Sequence, residues 1–254
     1  AVNDSLRIAR ETVPGRGSGF VNAVLRKASA VRECLRLPDD SATDPAASLA
    51  LRYSVPVWMV ARWRDRLGES EARGLMEAFA RPSPLTLWVN PLRGTLEQLV
   101  GILERDGIRA QPSLLLPGSL RVEKGNPAKS RAFIEGRFYF QDEASQAVAL
   151  LLGPQPGETL IDLCAAPGGK SISLAAGVAP TGRVLAVDRD QLRLGVLVQN
   201  RDRLRMTNLH PLAADLEEGC PLLDRYPGVF LDAPCSGTGI LGRHPEIRWR
   251  RELA

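Results

Sequence analysis

The chain has 254 residues, 44% of them apolar and 24% charged, which is ordinary for a folded globular protein and excludes a collagen-like or disordered chain. No run approaches the ~18 uninterrupted apolar residues of a membrane span, and no basic-then-apolar leader opens the sequence, so a cytoplasmic protein is expected. The net charge is +4, and arginine supplies 29 of the 33 basic residues. That excess favours a polyanionic partner, because guanidinium forks onto phosphate; arginine-biased codons would produce the same skew.

Residues 1 to about 80 read as helical. In "GFVNAVLRKAS" Phe20, Val21, Val24 and Leu25 fall on one face, with basic Arg26 and Lys27 near the end. "LPDDSATDP" is a polar linker closing on Asp44-Pro45, a cap followed by a first helical residue. "PVWMVARWRDRLG" predicts a helix opened by Pro56 and closed by Gly68, and "ESEARGLMEAFARP" another that stops before Pro82. From residue 84 the pattern changes to a small α+β unit. "PLTLWVN" and "SLRVEKG" read as strands around the helix "TLEQLVGILERDG". "FYFQDEASQAVALLLG" adds a β-like triplet and a helix capped by Asp142.

From residue 157 apolar strands and helices alternate. "TLIDLC", "RVLAVD", "LHPLAAD" and "GVFLDAPC" are the strands, separated first by "PGGKSISLAAGV" and then by "DQLRLGVLVQNRDRL". This alternation predicts an α/β domain, a parallel sheet covered on both faces. Asp162, Asp188, Asp215 and Asp232 fall at or near carboxyl ends of strands, the edge where such sheets bind ligands. The glycines of "CAAPGGK" allow a tight turn and close approach of backbone N–H groups. Asp188 lies 19 residues after Gly169, a spacing suited to hydrogen-bonding ribose hydroxyls. The turn is neither G-x-G-x-x-G nor a P-loop. A nucleoside cofactor without a pyrophosphate fits better, namely S-adenosylmethionine.

Cys34, Cys164, Cys220 and Cys235 show no CxxC or CxxxH spacing, and His210 and His244 are the only histidines, so no metal site is expected. Cys235 follows a strand in "FLDAPCSGTG". Alone it would be read as packing. Beside a methyl donor, a thiolate is the natural group to add to carbon 6 of a pyrimidine and activate carbon 5. Asp232 is placed to hydrogen-bond the base edge.

"DLCAAPGGKS", "VDRDQLRL", "FYFQDEASQ" and "LDAPCSGTG" resemble the motifs of the bacterial Sun/Fmu-type ribosomal RNA cytosine-5 methyltransferases. "PGRGSGFVNAVLRKAS" resembles the end of their N-terminal domain, itself like the antiterminator NusB, and "LRYSVPVWMVARW" the segment after it. The resemblance implies a Rossmann-like S-adenosylmethionine-dependent methyltransferase domain at 141–254, preceded by a NusB-like remnant at 1–40, a helical linker at 41–83 and the α+β unit at 84–140. It implies small-subunit ribosomal RNA as substrate and S-adenosylmethionine as donor; a monomer is expected.

Carried over by motif, the loop Cys164, Ala165, Ala166, Pro167, Gly168, Gly169 and Lys170 cradles the donor. Asp188 holds the ribose, Asp215 the adenine side and Asp232 the active-site end. Plain packing is the alternative for the two alanines and a surface charge for Lys170, but the loop as a unit is read as the donor cradle. Arg26, Lys27, Arg32 and Arg36 are candidate phosphate contacts, or simply a solvated helix face. In RNA enzymes of this kind the attacking thiol belongs to a later Thr-Cys motif, and the Pro-Cys thiol, here Cys235, helps release the product. No cysteine follows Cys235. The chain therefore reads as C-terminally truncated and short of its nucleophile, which predicts a fragment that binds donor or RNA without turnover. An enzyme attacking with Cys235 itself, as in DNA cytosine-5 methyltransferases, is the other reading. Trp88 stands where the resemblance places an arginine, which predicts an RNA contact either lost or supplied by a neighbouring residue.

Overall fold

The computed structural model describes residues 2–12, 17–31, 34, 44–219 and 225–252. It divides into two compact units, residues 83–236 and a helical unit made of 1–82 with 237–254.

The helical unit holds α1 (Val2–Thr12), α2 (Gly17–Ala30), α3 (Pro45–Tyr53), α4 (Val57–Leu67) and α5 (Glu69–Ala80). The Asp44 carboxylate accepts from the Ala46 and Ala47 amides and Pro45 opens the helix, as the sequence predicts. Leu49, Ala50, Val55, Val60 and Met76 form the core of this unit, with Tyr53 and Trp63 against them. The apolar face expected on α2 is not a core face: Phe20 is 73% exposed and no described residue of α2 is buried. Residues 237–254, which the sequence reading assigns to the methyltransferase segment, join this unit. A one-turn helix at Ile247–Arg250 carries Arg248, whose guanidinium donates to the carbonyls of Tyr53, Ser54, Phe79 and Leu241.

The unit at 83–236 contains two sheets. One is antiparallel in the order β2-β3-β1-β4, built from β1 (Leu85–Val89), β2 (Arg109–Pro112), β3 (Ser119–Lys124) and β4 (Phe138–Phe140). α6 (Leu96–Arg105) begins with a reciprocal capping box between Thr95 and Gln98 and buries Leu99 and Leu103 against Leu87, Leu120 and Phe138. The short helix α7 (Arg131–Ile134) precedes β4.

The other sheet is parallel, in the order β7-β6-β5-β8: β5 (Thr159–Leu163), β6 (Arg183–Asp188), β7 (Leu209–Ala213) and β8 (Gly228–Leu231). α8 (Glu143–Leu151), α9 (Gly169–Val178) and α10 (Gln191–Leu204) accompany it. Its core joins Leu160, Val184, Ala186 and Phe230 of the strands to Ile172, Leu174, Leu194 and Leu197 of the helices. The predicted α/β alternation is therefore the observed one. Asp142 occupies the N-cap position of α8, but its side chain does not make the predicted capping bond.

Strand alternation decides the fate of Trp88. Leu87 and Val89 point into the antiparallel-sheet core, and Trp88, one residue out of phase, packs against the parallel-sheet core. Its position is thus a half-buried packing site. Asn90 follows, fully buried. Its amide donates to Gly136 O (2.9 Å) and to Leu204 O at the end of α10 (3.1 Å), and its oxygen accepts from Leu92 N (3.1 Å). Among the described residues no helix is long and apolar enough to cross a membrane.

Candidate active site

Parallel strands deliver their carboxyl ends to one edge. In the sheet order, that edge presents Asp215 just beyond β7, Asp188 ending β6, Asp162 near the end of β5 and Asp232 just beyond β8. The row predicted from sequence is one continuous feature.

The loop after β5 is built for a close turn. Cys164 sits in the left-handed region at φ 62 and Gly168 at φ 103. A Cβ on Gly168 would lie 2.7 Å from Leu197 Cγ, so the glycine is required by packing against α10 as well as by its φ. Ala165 and Ala166 are buried in the core, so their methyl groups pack inward and only their backbone can face a ligand. Asp188 fixes that backbone. Its Oδ2 accepts from Ala166 N and its Oδ1 from Asp190 N, both at 2.9 Å. Arg193 holds the Ala166 carbonyl from the other side. Each Asp188 oxygen keeps a second lone pair for a ligand hydroxyl.

Gly168 caps α9 with no side chain, so the first-turn amides have no side-chain acceptor. Beside Gly169, Gln141 donates nothing through its buried Nε2, while its Oε1 accepts from Ser173 Oγ at 3.1 Å. A positive helix end next to an orphaned donor suits a ligand bearing a carboxylate, and a ribose hydroxyl fits the Asp188 lone pairs. The residues present fit S-adenosylmethionine. Sequence reasoning missed Gln141, although "FYFQDEASQ" contains it; only the fold brings it beside Gly169.

Lys170 is not a free surface charge. Its Nζ lies 2.6 Å from Asp232 Oδ2. This pair joins the loop after β5 to the loop after β8, whose strands are hydrogen-bonded neighbours with Leu163 opposite Leu231. Residues 231–236, Cys235 among them, are exposed. Cys164, half-buried, has its thiol pushed up by burial and by the carboxylates of Asp188 and Asp162, which keeps it protonated. Asp162 is 1% exposed. Burial drives its carboxyl up to about 7 against the opposing pull of Ser171 and Lys170. Ser171 Oγ donates to Oδ2 at 2.5 Å, and Oδ1 is buried without a partner. Asp215 accepts from Glu217 N at 3.0 Å and faces Arg189 at 3.8 Å.

A family model described as "16S rRNA methyltransferase RsmB/F" matches residues 149–254, and the ferredoxin-like domain model of the same group matches 55–129. Residues 149–254 form a methyltransferase segment of the RsmB/F type. It is 31% identical, over 255 residues, to the probable ribosomal RNA small subunit methyltransferase B of Bacillus subtilis (strain 168), covering 99% of this chain and 56% of that protein. Among solved structures it is similar to PH0851, with a TM-score of 0.77, 31% identity, and coverage of 96% of this chain and 54% of that one. A methyltransferase homolog from Pyrococcus horikoshii aligns with a TM-score of 0.71 and 27% identity, covering 80% of this chain and 67% of that one. The chain spans about half the length of the curated relatives it matches. The chain has the methyltransferase α/β fold that its sequence motifs predict.

The fold brings together residues 164–170, Asp188, Asp215, Asp232 and Cys235 at one sheet edge. Arg26 and Lys27 lie exposed on α2, in the helical unit; Arg26 Nε donates to Asn22 Oδ1 at 3.2 Å. Arg32, Arg36 and Cys220 lie outside the described residues. Among the described residues no group of three or more His, Cys, Asp and Glu is placed to hold a metal ion.

Proposed function

We propose that this chain carries the donor-binding and product-releasing part of an enzyme that methylates carbon 5 of a cytosine in small-subunit ribosomal RNA, with S-adenosylmethionine as donor. The observation that carries the reading is the Lys170–Asp232 contact, which sets the glycine-turn loop against the Asp-Ala-Pro-Cys loop at one sheet edge. The family match and the ribosomal RNA methyltransferase relative support the substrate class.

The bound donor supplies an electrophilic methyl group. The loop 164–170 cradles it, Asp188 accepts from the ribose hydroxyls, Asp215 faces the adenine side and Asp232 the reacting end. Cytosine carbon 5 becomes nucleophilic only after a thiolate adds to carbon 6, and the target base must first leave its stack. By the resemblance the attacking thiol belongs to a Thr-Cys motif, and these 254 residues contain no cysteine beyond Cys235. Cys235 then acts at the carbon-5 proton and the departing thiol. A chain of these residues alone binds donor without turnover, as a monomer, with Arg26, Lys27, Arg32 and Arg36 on RNA phosphates.

One observation favours a second reading. Cys235 is the exposed thiol next to Asp232, while Cys164 is held protonated. If Cys235 attacks carbon 6, the fragment is complete enough to form the adduct. A 5-fluorocytosine substrate separates the two readings in the full-length enzyme. Cys235→Ala leaves a stalled covalent RNA complex under the first and none under the second. Methyl label found only on adenine or guanine would remove both.

A further inference from the structure

The helical unit has a cavity of ≈ 420 Å³ lined by Arg52, Arg81 and Arg248 with Tyr53 and Phe79 and, among the described residues, by no carboxylate. Its walls include the C-terminal ends of α3 and α5, whose free carbonyls would ordinarily repel an anion. Arg248 reverses that. Its Nη1 donates to Tyr53 O (3.1 Å) and Ser54 O (3.2 Å), and its Nη2 to Phe79 O (3.1 Å) and Leu241 O (3.4 Å). The residue is 7% exposed, its Nε has no acceptor, and it forms no ion pair among the described residues.

Four neutral carbonyls solvate this guanidinium without neutralising it. Buried charges are otherwise paired, so a buried arginine held only by carbonyls marks a positive potential directed at the adjoining space. Arg52 and Arg81 add two charges around the same cavity. Ser54, Ala80 and Arg81 are exposed, so the cavity opens to solvent. Its size suits a phosphate or a nucleotide, and arginine forks onto phosphate oxygens.

We propose that this cavity is a phosphate site and that its occupant is a phosphodiester of the RNA substrate. The occupant, though not the phosphate chemistry, rests on the ribosomal RNA reading above. Arg81 and Arg52 contact the phosphate, and Arg248 positions them by masking the helix ends.

The test uses the 254-residue chain, wild type, Arg81→Gln and Arg52→Gln. Binding of a small-subunit ribosomal RNA fragment is followed across a salt series, and inorganic phosphate and pyrophosphate are titrated separately by calorimetry. Unchanged far-ultraviolet circular dichroism and melting temperature show that each variant is folded. The expected result is RNA binding weakened roughly three- to tenfold by either change, a log–log salt slope smaller by about 1, and loss of inorganic phosphate binding. If neither ligand responds to either variant, the phosphate site is overturned. Arginine-dependent phosphate binding with RNA affinity unchanged overturns the RNA occupant. A wild-type chain that binds phosphate but no RNA refutes the ribosomal RNA reading and leaves the site standing. An acidic peptide that displaces phosphate and binds more tightly overturns the phosphate assignment.

Discussion

Lys170 Nζ and Asp232 Oδ2 lie 2.6 Å apart, so the first turn of α9 and the first residue after β8 hold each other directly. Asp232 is half-exposed, and a pair of this kind adds no more than about 1 kcal/mol to stability. Lys170→Met should therefore melt close to wild type yet bind S-adenosylhomocysteine several-fold more weakly in calorimetry. A clear drop in melting temperature with affinity unchanged would reassign the pair to scaffolding.

Gly168→Ala should destabilise the chain by about 2–4 kcal/mol. A φ of 103 costs any Cβ-bearing residue, and the new methyl meets Leu197 Cγ at 2.7 Å. Only the second effect depends on Leu197. Denaturant melts of Gly168→Ala, Leu197→Ala and the double variant should then show a favourable coupling, because the smaller partner relieves the clash but not the dihedral cost.

Asp162 makes stability fall as pH rises. Its folded pKa of about 7 lies above its ordinary 3.8, so the native state retains the proton that the unfolded chain releases. The stability this gives is fully present below about pH 4 and is lost as pH climbs through about 7. The slope in that window approaches about 1.4 kcal/mol per pH unit. Asp162→Asn keeps an acceptor for Ser171 and should flatten the slope in urea melts between pH 5 and 8.

Asn90→Ala should cost about 2–4 kcal/mol. It strands two buried carbonyls, Gly136 O and Leu204 O, and removes the acceptor for Leu92 N. Amide hydrogen exchange should quicken at the end of α10 and around Gly136, with β7 less affected.

The parallel sheet was legible in the sequence because each strand is a short apolar run, the first two running straight into a turn or helix start, and because its acids recur at strand ends. The glycine turn after β5 was legible as a strand-to-helix turn because Gly168 and Gly169 follow an apolar strand and open a helical pattern. Strand β2 was not. "RAQP" has one buried side chain, Ala110, and a proline, so neither alternation nor β-propensity marks it. Helix α7 is four residues long, below any periodic signal. The packing of Trp88 was not legible because its face depends on the phase of β1 between two cores. The partner of Lys170 is 62 positions away, and the position of Gln141 beside Gly169 is likewise fixed only by the fold.

Arg248 also has a consequence for how the polypeptide matures. The guanidinium that plugs the ends of α3 and α5 follows Phe79 by 169 positions. On the ribosome those helices emerge well before their plug, and the whole two-sheet body is translated in between. Cutting the gene at the edge of that body would release a helical piece with its carbonyl ends bare, so a domain dissection has to carry the distant tail along with the first helices.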